Sequence, residues 1–115
     1  MQTMTAFKRL KTIREFEKAR MPHLRSHEDF DIVIEVGYHE DMGEPLTLKC
    51  LLLIGITSTS TTQRRVHALV EAGILTRNRS ASDRRSIQLG VSSQTRKLVD
   101  RYVQILHAQA PKKKV

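Results

Sequence analysis

The chain has 115 residues and a net charge of +8, from 20 lysines and arginines against 12 aspartates and glutamates. This length suits one domain with a core of its own, and the positive balance favours a polyanionic partner such as nucleic acid. No apolar run approaches the roughly 18 residues that a membrane-spanning helix needs, and no apolar leader of the secretory type is visible, so we expect a cytoplasmic protein without membrane contact.

The charge is distributed unevenly along the chain. Residues 1–25, 47–92 and 93–115 each carry a net +5, whereas residues 26–46 carry −7. This pattern predicts one face that repels DNA and another that attracts it, although an ordinary solvated helix face explains the acidic block equally well. Aromatic residues make up 4% of the chain and tryptophan is absent, which argues against base-stacking platforms for single strands and favours duplex DNA.

Two amphipathic helices are predicted before the first turn. The first repeats apolar residues every three or four positions up to Phe16 and ends before Pro22. The second begins at the possible N-cap Ser26 and continues to about Asp41. Residues 32–34 could also form a strand, because β-branched residues lower helix propensity. The length and the acidic first turn favour a helix.

A short helix follows the turn at residues 43–45. Thr47 can cap it, and its inner face is predicted to be Leu48, Leu51 and Leu52. Gly55 ends it, because glycine adopts the left-handed conformation of a helix end without steric cost.

The next helix begins at Thr57 or Ser58 and is rich in hydroxyl side chains. Thr62, Val66, Leu69 and Val70 follow helical spacing and predict its buried stripe. The residues on or beside its open face are Ser60, Thr61, Gln63, Arg64 and His67.

From Ile74 the apolar period changes to two, which predicts a β-hairpin. Residues 74–77 form its rising strand, residues 80–83 its polar tip and residues 87–91 its returning strand. Ser92 or Ser93 can cap a last helix, and the wide apolar coverage of this helix indicates a partner chain.

Other chemistry has little support in the sequence. Cys50 is the single cysteine, and we expect a small apolar residue on a buried helix face, with a redox-sensing thiol as the alternative. His23 and His27 have i, i+4 spacing but straddle a predicted helix start, so a metal site is not expected. The chain lacks a glycine-rich phosphate loop, a nucleophile elbow and a tuned carboxylate pair. We expect no metal, no cofactor and no enzymatic activity.

The order of elements, two helices, a turn, two further helices, a basic hairpin and a last helix, resembles the multiple antibiotic resistance regulator (MarR) family of winged helix-turn-helix repressors. The resemblance covers about residues 31–102. It rests on Pro45-Leu46-Thr47, on Gly55-Ile56-Thr57-Ser58, on the run from Val66 to Gly73-Ile74-Leu75, and on Ser82-Asp83-Arg84-Arg85 followed by Ile87-x-Leu89. The Asp-Arg-Arg sequence is its most specific part.

The resemblance implies a mainly α fold with a small β-hairpin wing (α+β), in which terminal helices form a dimer interface. It implies a homodimer that binds a pseudo-palindromic operator with two recognition helices about one duplex turn apart. The predicted organisation is one winged helix domain over 1–115, with an N-terminal dimerisation helix (1–21), a core (27–92), a C-terminal helix (93–110) and a basic tail (111–115). One departure is the apolar run 51–54 in the first motif helix, whose outer face is expected to contact another part of the protein.

Arg64 is the predicted base-reading residue, because a guanidinium can contact guanine with two hydrogen bonds. Gln63 could read adenine, and the hydroxyls near the helix start are expected to bind phosphate. In the wing, Asp83 is predicted to hold one of the arginines that follow it, which leaves the other for the minor groove. The predicted DNA-binding residues of the recognition helix are Ser58, Thr59, Ser60, Thr61, Gln63, Arg64 and His67. Those of the wing are Arg77, Arg79, Ser82, Arg84 and Arg85.

These observations favour a dimeric, sequence-specific regulator of transcription that binds double-stranded DNA. A winged helix module that docks a protein partner through residues 51–54 and 26–46 is the first alternative, and a non-specific architectural DNA-binding protein is the second. The sequence does not identify a small-molecule effector.

Overall fold

The computed structural model of the protein describes residues 6–79 and 85–109. Its helices and strands are α1 (Ala6–Arg20), α2 (His27–Asp41), α3 (Leu48–Ile54), α4 (Thr59–Glu71), β1 (Leu75–Arg79), β2 (Ile87–Val91) and α5 (Ser93–Gln109). The chain divides into two compact units, one from His23 to Thr95 and the other made of the chain up to Pro22 and from Arg96 onward. The mainly α fold with one β-hairpin is confirmed, and residues 32–34 lie in a helix.

Hydroxyl side chains start four of the helices. Ser26, Thr47, Ser58 and Ser92 each accept a hydrogen bond from the backbone N–H three residues later, at 3.3, 3.1, 3.2 and 3.2 Å respectively. These caps satisfy N–H groups that the first turn of a helix leaves without a backbone partner. The predicted starts of α2, α3 and α4 are therefore confirmed.

The core of the unit from His23 to Thr95 combines all its helices with the hairpin. Its buried apolar residues are Ile32, Val33 and Val36 of α2, Leu46, Leu51 of α3, Val66 and Leu69 of α4, Leu75 of β1 and Leu89 of β2. Helix α2 packs against both α3 and α4, and also against β2. This arrangement makes α2 the central element of the unit.

The hairpin is antiparallel and runs from the pair Leu75–Val91 to the pair Arg79–Ile87. The segment before α3 extends it, because the Leu89 N–H donates to the Leu46 carbonyl at 2.8 Å. β1 ends at Arg79, which pairs with Ile87 of β2, so Arg79 lies on the rising strand as the sequence predicted.

The inner face of α3 is buried as predicted, but among the described residues its outer face does not have the predicted contact with another part of the protein. Leu51 is fully buried, and Leu48 and Leu52 are half-buried, as predicted for its inner face. Leu53 is 76% exposed, so the described part of the chain does not cover the outer face. The prediction that Cys50 is buried is wrong: the thiol is exposed, because a helix turns about 100° per residue and its neighbour Leu51 takes the inward position.

In the other unit, Tyr102 of α5 joins the two terminal helices. Its hydroxyl donates to Glu17 of α1 at 2.8 Å, and its ring centroid lies 6.0 Å from that of Phe16. Burial, followed by the hydrogen bond to Glu17, raises the pKa of Tyr102 to about 12. Across the described residues, no helix is long and apolar enough to cross a membrane.

Candidate nucleic-acid interface

Helix α4 has a buried side and a polar side. Thr62, Val66 and Leu69 are buried, as the sequence predicted. Ser60, Gln63, Arg64 and His67 are exposed, and Gln63 and Arg64 each lie three or four residues from both Ser60 and His67. This spacing places them on one face of the helix, so α4 presents a continuous strip of hydroxyl, amide, guanidinium and imidazole groups.

At the start of α4 the hydroxyl groups have two different roles. The Ser58 hydroxyl oxygen is already engaged as the helix cap, whereas Thr59 is exposed. Thr61 is half-buried, and its Oγ1 accepts a hydrogen bond from Arg64 Nη2 at 3.3 Å. This hydrogen bond lies within one helical turn, and the guanidinium of Arg64 stays exposed to solvent.

The neighbouring arginine of α4 points in a different direction. Arg65 makes a two-point contact with Asp29 of α2: Nε donates to Oδ1 at 2.7 Å and Nη2 donates to Oδ2 at 2.9 Å. Asp29 is fully buried and also accepts the Arg25 backbone N–H at 2.9 Å. The hydrogen bond to Asp29 raises the pKa of Arg65 above its ordinary value. Arg65 is therefore a permanently charged link between α4 and α2.

In the hairpin, Arg77 and Arg79 are both exposed and alternate with Thr76 and Asn78 along β1. Because side chains alternate across a strand, the two arginines lie on the same face. Arg85 is exposed and shares an open cleft with Lys49 of α3. The predicted wing residues Ser82, Asp83 and Arg84 lie outside the described residues.

A carboxylate of α2 contacts the base of the hairpin. Glu40 Oε1 accepts the Val91 backbone N–H at 3.1 Å. The approach is close because Gly90 has no side chain: a Cβ at Gly90 would lie 2.6 Å from Glu40 Oε2 and 2.8 Å from Thr76 Oγ1. Glycine at position 90 thus makes room for the carboxylate against β2.

The sequence interpretation did not include Asp29, Arg65 or Glu40 in the site. For Arg65 a signal was present, because it lies three residues after Thr62 and four before Leu69, next to the buried stripe of α4. For the two acidic residues no local signal separated them from the other carboxylates of the acidic segment. Their roles depend on long-range contacts that no spacing rule encodes.

A metal centre does not form among the residues that the structure describes, where no group of three histidine, cysteine or acidic side chains is close enough to hold an ion. His39 uses its Nδ1 in a 2.9 Å contact with the Glu35 carbonyl oxygen of the same helix.

Comparison with solved structures relates this architecture to known proteins. The DNA complex of MepR from S. aureus is 15% identical, with a TM-score of 0.68 over 90% of this chain and 85% of MepR. A transcriptional regulator from Thermotoga maritima is 19% identical, with a TM-score of 0.63 over 86% of this chain and 67% of its own. A mutant MarR from E. coli, complexed with operator DNA, is 14% identical, with a TM-score of 0.60 over 84% of this chain and 66% of that chain.

The chain has the winged helix fold of MarR-family regulators. In this MarR-type fold, α3 and α4 form the helix-turn-helix, and the hairpin of β1 and β2 is the wing. Of these neighbours, the Thermotoga maritima protein is a transcriptional regulator, and the MepR and MarR structures contain DNA. No protein-family model matches the sequence, and the search of curated proteins found no relative, so the likeness to the MarR type lies in the fold.

Proposed function

We propose that this protein is a sequence-specific regulator of transcription that binds double-stranded DNA as a homodimer and represses through a pseudo-palindromic operator. The observation that carries the proposal is the exposed face of α4, which presents Gln63 and Arg64 in the middle of a polar strip while the opposite face is buried. A helix of this kind fits the major groove, where amide and guanidinium groups distinguish the base pairs. Solved structures of this fold that contain DNA support the proposal that the protein binds DNA.

We assign the residues to two kinds of contact. Arg64 and Gln63 contact base edges, whereas the hydroxyls at the start of α4, with His67 at the side of the groove, position the helix on the backbone. Arg77, Arg79 and Arg85 of the wing contact phosphates or the adjacent minor groove, together with Ser82 and Arg84. Asp83 orients one of the wing arginines.

The homodimer is supported by apolar side chains on the terminal helices. Phe7 and Leu10 of α1 are 83% and 54% exposed, and Val103 and Leu106 of α5 are 43% and 42% exposed. Apolar side chains that are exposed in this number are typical of a surface that binds another protein chain. Sedimentation of the parent protein and a Val103→Asp/Leu106→Asp variant tests the interface, and a parent that sediments as a monomer at micromolar concentration contradicts it.

The DNA-binding proposal is tested with a duplex selected from a random pool. Fluorescence anisotropy then compares the selected duplex with a scrambled one at several salt concentrations. Arg64→Ala should weaken binding to the selected duplex by about 1–3 kcal/mol more than to the scrambled duplex. Arg77→Ala should weaken binding to both about equally, and Arg20→Ala on α1 is the charge-matched control. Equal losses on both duplexes for Arg64→Ala would remove its base-reading role.

A second candidate function is a winged helix module that docks a protein partner, which the 76% exposure of Leu53 and the 45% exposure of Ile54 favour. The dependence of binding affinity on salt concentration distinguishes the two proposals. Neutralisation of about six phosphates weakens DNA binding by about 10³-fold between 50 and 200 mM salt, whereas an apolar protein interface hardly responds. Salt-sensitive binding with no preference between the duplexes would indicate an architectural DNA-binding protein instead.

A further inference from the structure

Helix α2 carries a carboxylate in its first turn and another in its last turn, and each contacts a different element of the proposed interface. Asp29 holds Arg65 of α4, and Glu40 holds the backbone of Val91 in β2. At 1.5 Å per residue, about 16 Å of helix axis separates the two contacts. The proposed recognition helix and the base of the wing are therefore both hydrogen-bonded to the same helix, α2.

The first contact determines how α4 is rotated about its axis. The hydrophobic effect that buries one side of α4 is non-directional, whereas a planar guanidinium bonded to both oxygens of a buried carboxylate requires one orientation. Successive residues of a helix are about 100° apart. With Arg65 turned inward onto Asp29, the preceding residue Arg64 is directed outward.

The second contact links the base of the hairpin to α2. Val91 pairs with Leu75 at the base of the hairpin, and its N–H points to Glu40. The absence of a side chain at Gly90 allows the carboxylate to lie against the strand. A shift of Glu40 would let the base strand move, and the wing would move with it.

We propose that Asp29 and Glu40 are positioning residues for DNA recognition, which set the rotation of α4 and the placement of the wing from a common helix. This inference rests on the proposed function. Neither carboxylate touches DNA; Asp29 acts on base discrimination through Arg65, and Glu40 acts on wing contacts through β2.

The ion pair is tested with the double variant Asp29→Leu/Arg65→Met, which removes both charges and leaves the net charge of the chain unchanged. The measurement is again binding to a selected and a scrambled duplex, with circular dichroism to follow folding. We expect affinity for the scrambled duplex within about twofold of the parent, and discrimination lower by at least about fivefold, the low end of what one bidentate base contact supplies. Unchanged discrimination in a folded double variant would overturn the role of Asp29.

Arg65→Lys is the second variant, in case the double variant does not fold. It keeps the net charge and a cation beside Asp29, but it cannot make the two-point contact. Discrimination should fall while folding is retained, and parent-like discrimination would overturn the inference. A parent that itself discriminates no duplex refutes the proposed function, which is a different result from a discriminating parent whose variants discriminate equally well.

Glu40 is tested by a comparison of Glu40→Ala with Glu40→Gln, which carry the same net charge. The glutamine keeps an oxygen that can accept the Val91 N–H, whereas the alanine does not. We expect Glu40→Gln to retain the parent salt dependence, and Glu40→Ala to lose about one phosphate contact from the slope of log affinity against log salt concentration. Equal slopes for the two variants would overturn the role of Glu40.

Gly90→Ala tests the same contact from the opposite side. Because the new methyl group would also meet Thr76 Oγ1, the variant is built and compared in a Thr76→Ala background. Displacement of the Glu40 carboxylate should reproduce the Glu40→Ala slope, and the two substitutions together should add nothing further. Additive effects would show that the two changes act independently and would contradict the proposal.

Discussion

Replacement of Asp29 and replacement of Arg65 should lower the free energy of unfolding by different amounts. Asp29 is fully buried, whereas the side chain of Arg65 is 28% exposed. Arg65→Met leaves a buried carboxylate with the Arg25 N–H but no cation, and an uncompensated buried charge costs about 3–5 kcal/mol. Asp29→Leu leaves a guanidinium that can turn toward water, so we expect a loss below about 3 kcal/mol.

The double variant supplies the internal check on this reasoning. With both charges replaced by apolar groups of similar size, no buried charge is left, and such replacements are often neutral or stabilising. The Arg25 N–H still loses its acceptor on Asp29, which costs about 1 kcal/mol. The free energy of unfolding of Asp29→Leu/Arg65→Met should therefore be about 1 kcal/mol lower than that of the parent. It should be about 2–4 kcal/mol higher than that of Arg65→Met alone.

The assay is urea unfolding followed by circular dichroism, with protein concentration held constant because dimerisation would contribute to the measured stability. A slope of about 1–3 kcal/mol per molar urea is expected for a chain of this size, so losses of this magnitude shift the midpoint measurably. If Asp29→Leu proves as destabilising as Arg65→Met, or if the double variant is the least stable of the three, the argument from unequal burial is refuted.

Three further predictions concern local stability. Ser58→Ala removes the cap of α4 and should cost about 1 kcal/mol in urea unfolding, whereas Ser58→Asp should restore most of it; an alanine variant as stable as the parent would contradict the capping role. In α3, Leu51→Ala should cost about 2–5 kcal/mol because the side chain is fully buried, and Leu53→Ala, at 76% exposure, should stay within about 0.5 kcal/mol. Burial, followed by the hydrogen bond to Glu17, raises the pKa of Tyr102 from 10.0 to about 12, so the neutral, half-buried phenol should stabilise the fold fully below pH 10 and cease to do so as the pH rises through about 12. The difference in unfolding free energy between the parent and Tyr102→Phe should therefore shrink over that interval, and a constant difference would count against the raised pKa and the half-buried, hydrogen-bonded position of Tyr102 that explains it.

The elements of this fold could be predicted from the sequence because their signals are local. A hydroxyl residue at position 58, an apolar stripe from Thr62 to Leu69 and a glycine at position 73 define α4 through spacing and backbone preference alone. The change of apolar period at Ile74 similarly predicted the hairpin. The polar face of α4 followed from these signals, since a helix with one buried stripe must direct its remaining side chains outward.

Within α3, the sequence did not distinguish the positions that face inward from those that face solvent. Leu51, Leu52, Leu53 and Ile54 are all apolar, so periodicity cannot tell which of them face inward, and the structure leaves Leu53 exposed. Cys50 shows the same difficulty, because its residue type favours burial and its position on the helix opposes it. In a short helix of uniform composition, the elements that pack against it decide the orientation.

What the sequence by itself determined is the order of helices and strands, their caps and the polar face of α4, because each depends on contacts within a few residues. The tertiary structure alone decided which elements Asp29 and Glu40 of α2 contact. Asp29 and Arg65 are bonded across 36 positions, and Glu40 and Val91 across 51. Such pairs form only after α2, α4 and the hairpin have packed together, because hydrogen bonds require their donor and acceptor atoms to be brought within about 3 Å. No periodicity along the chain carries that information.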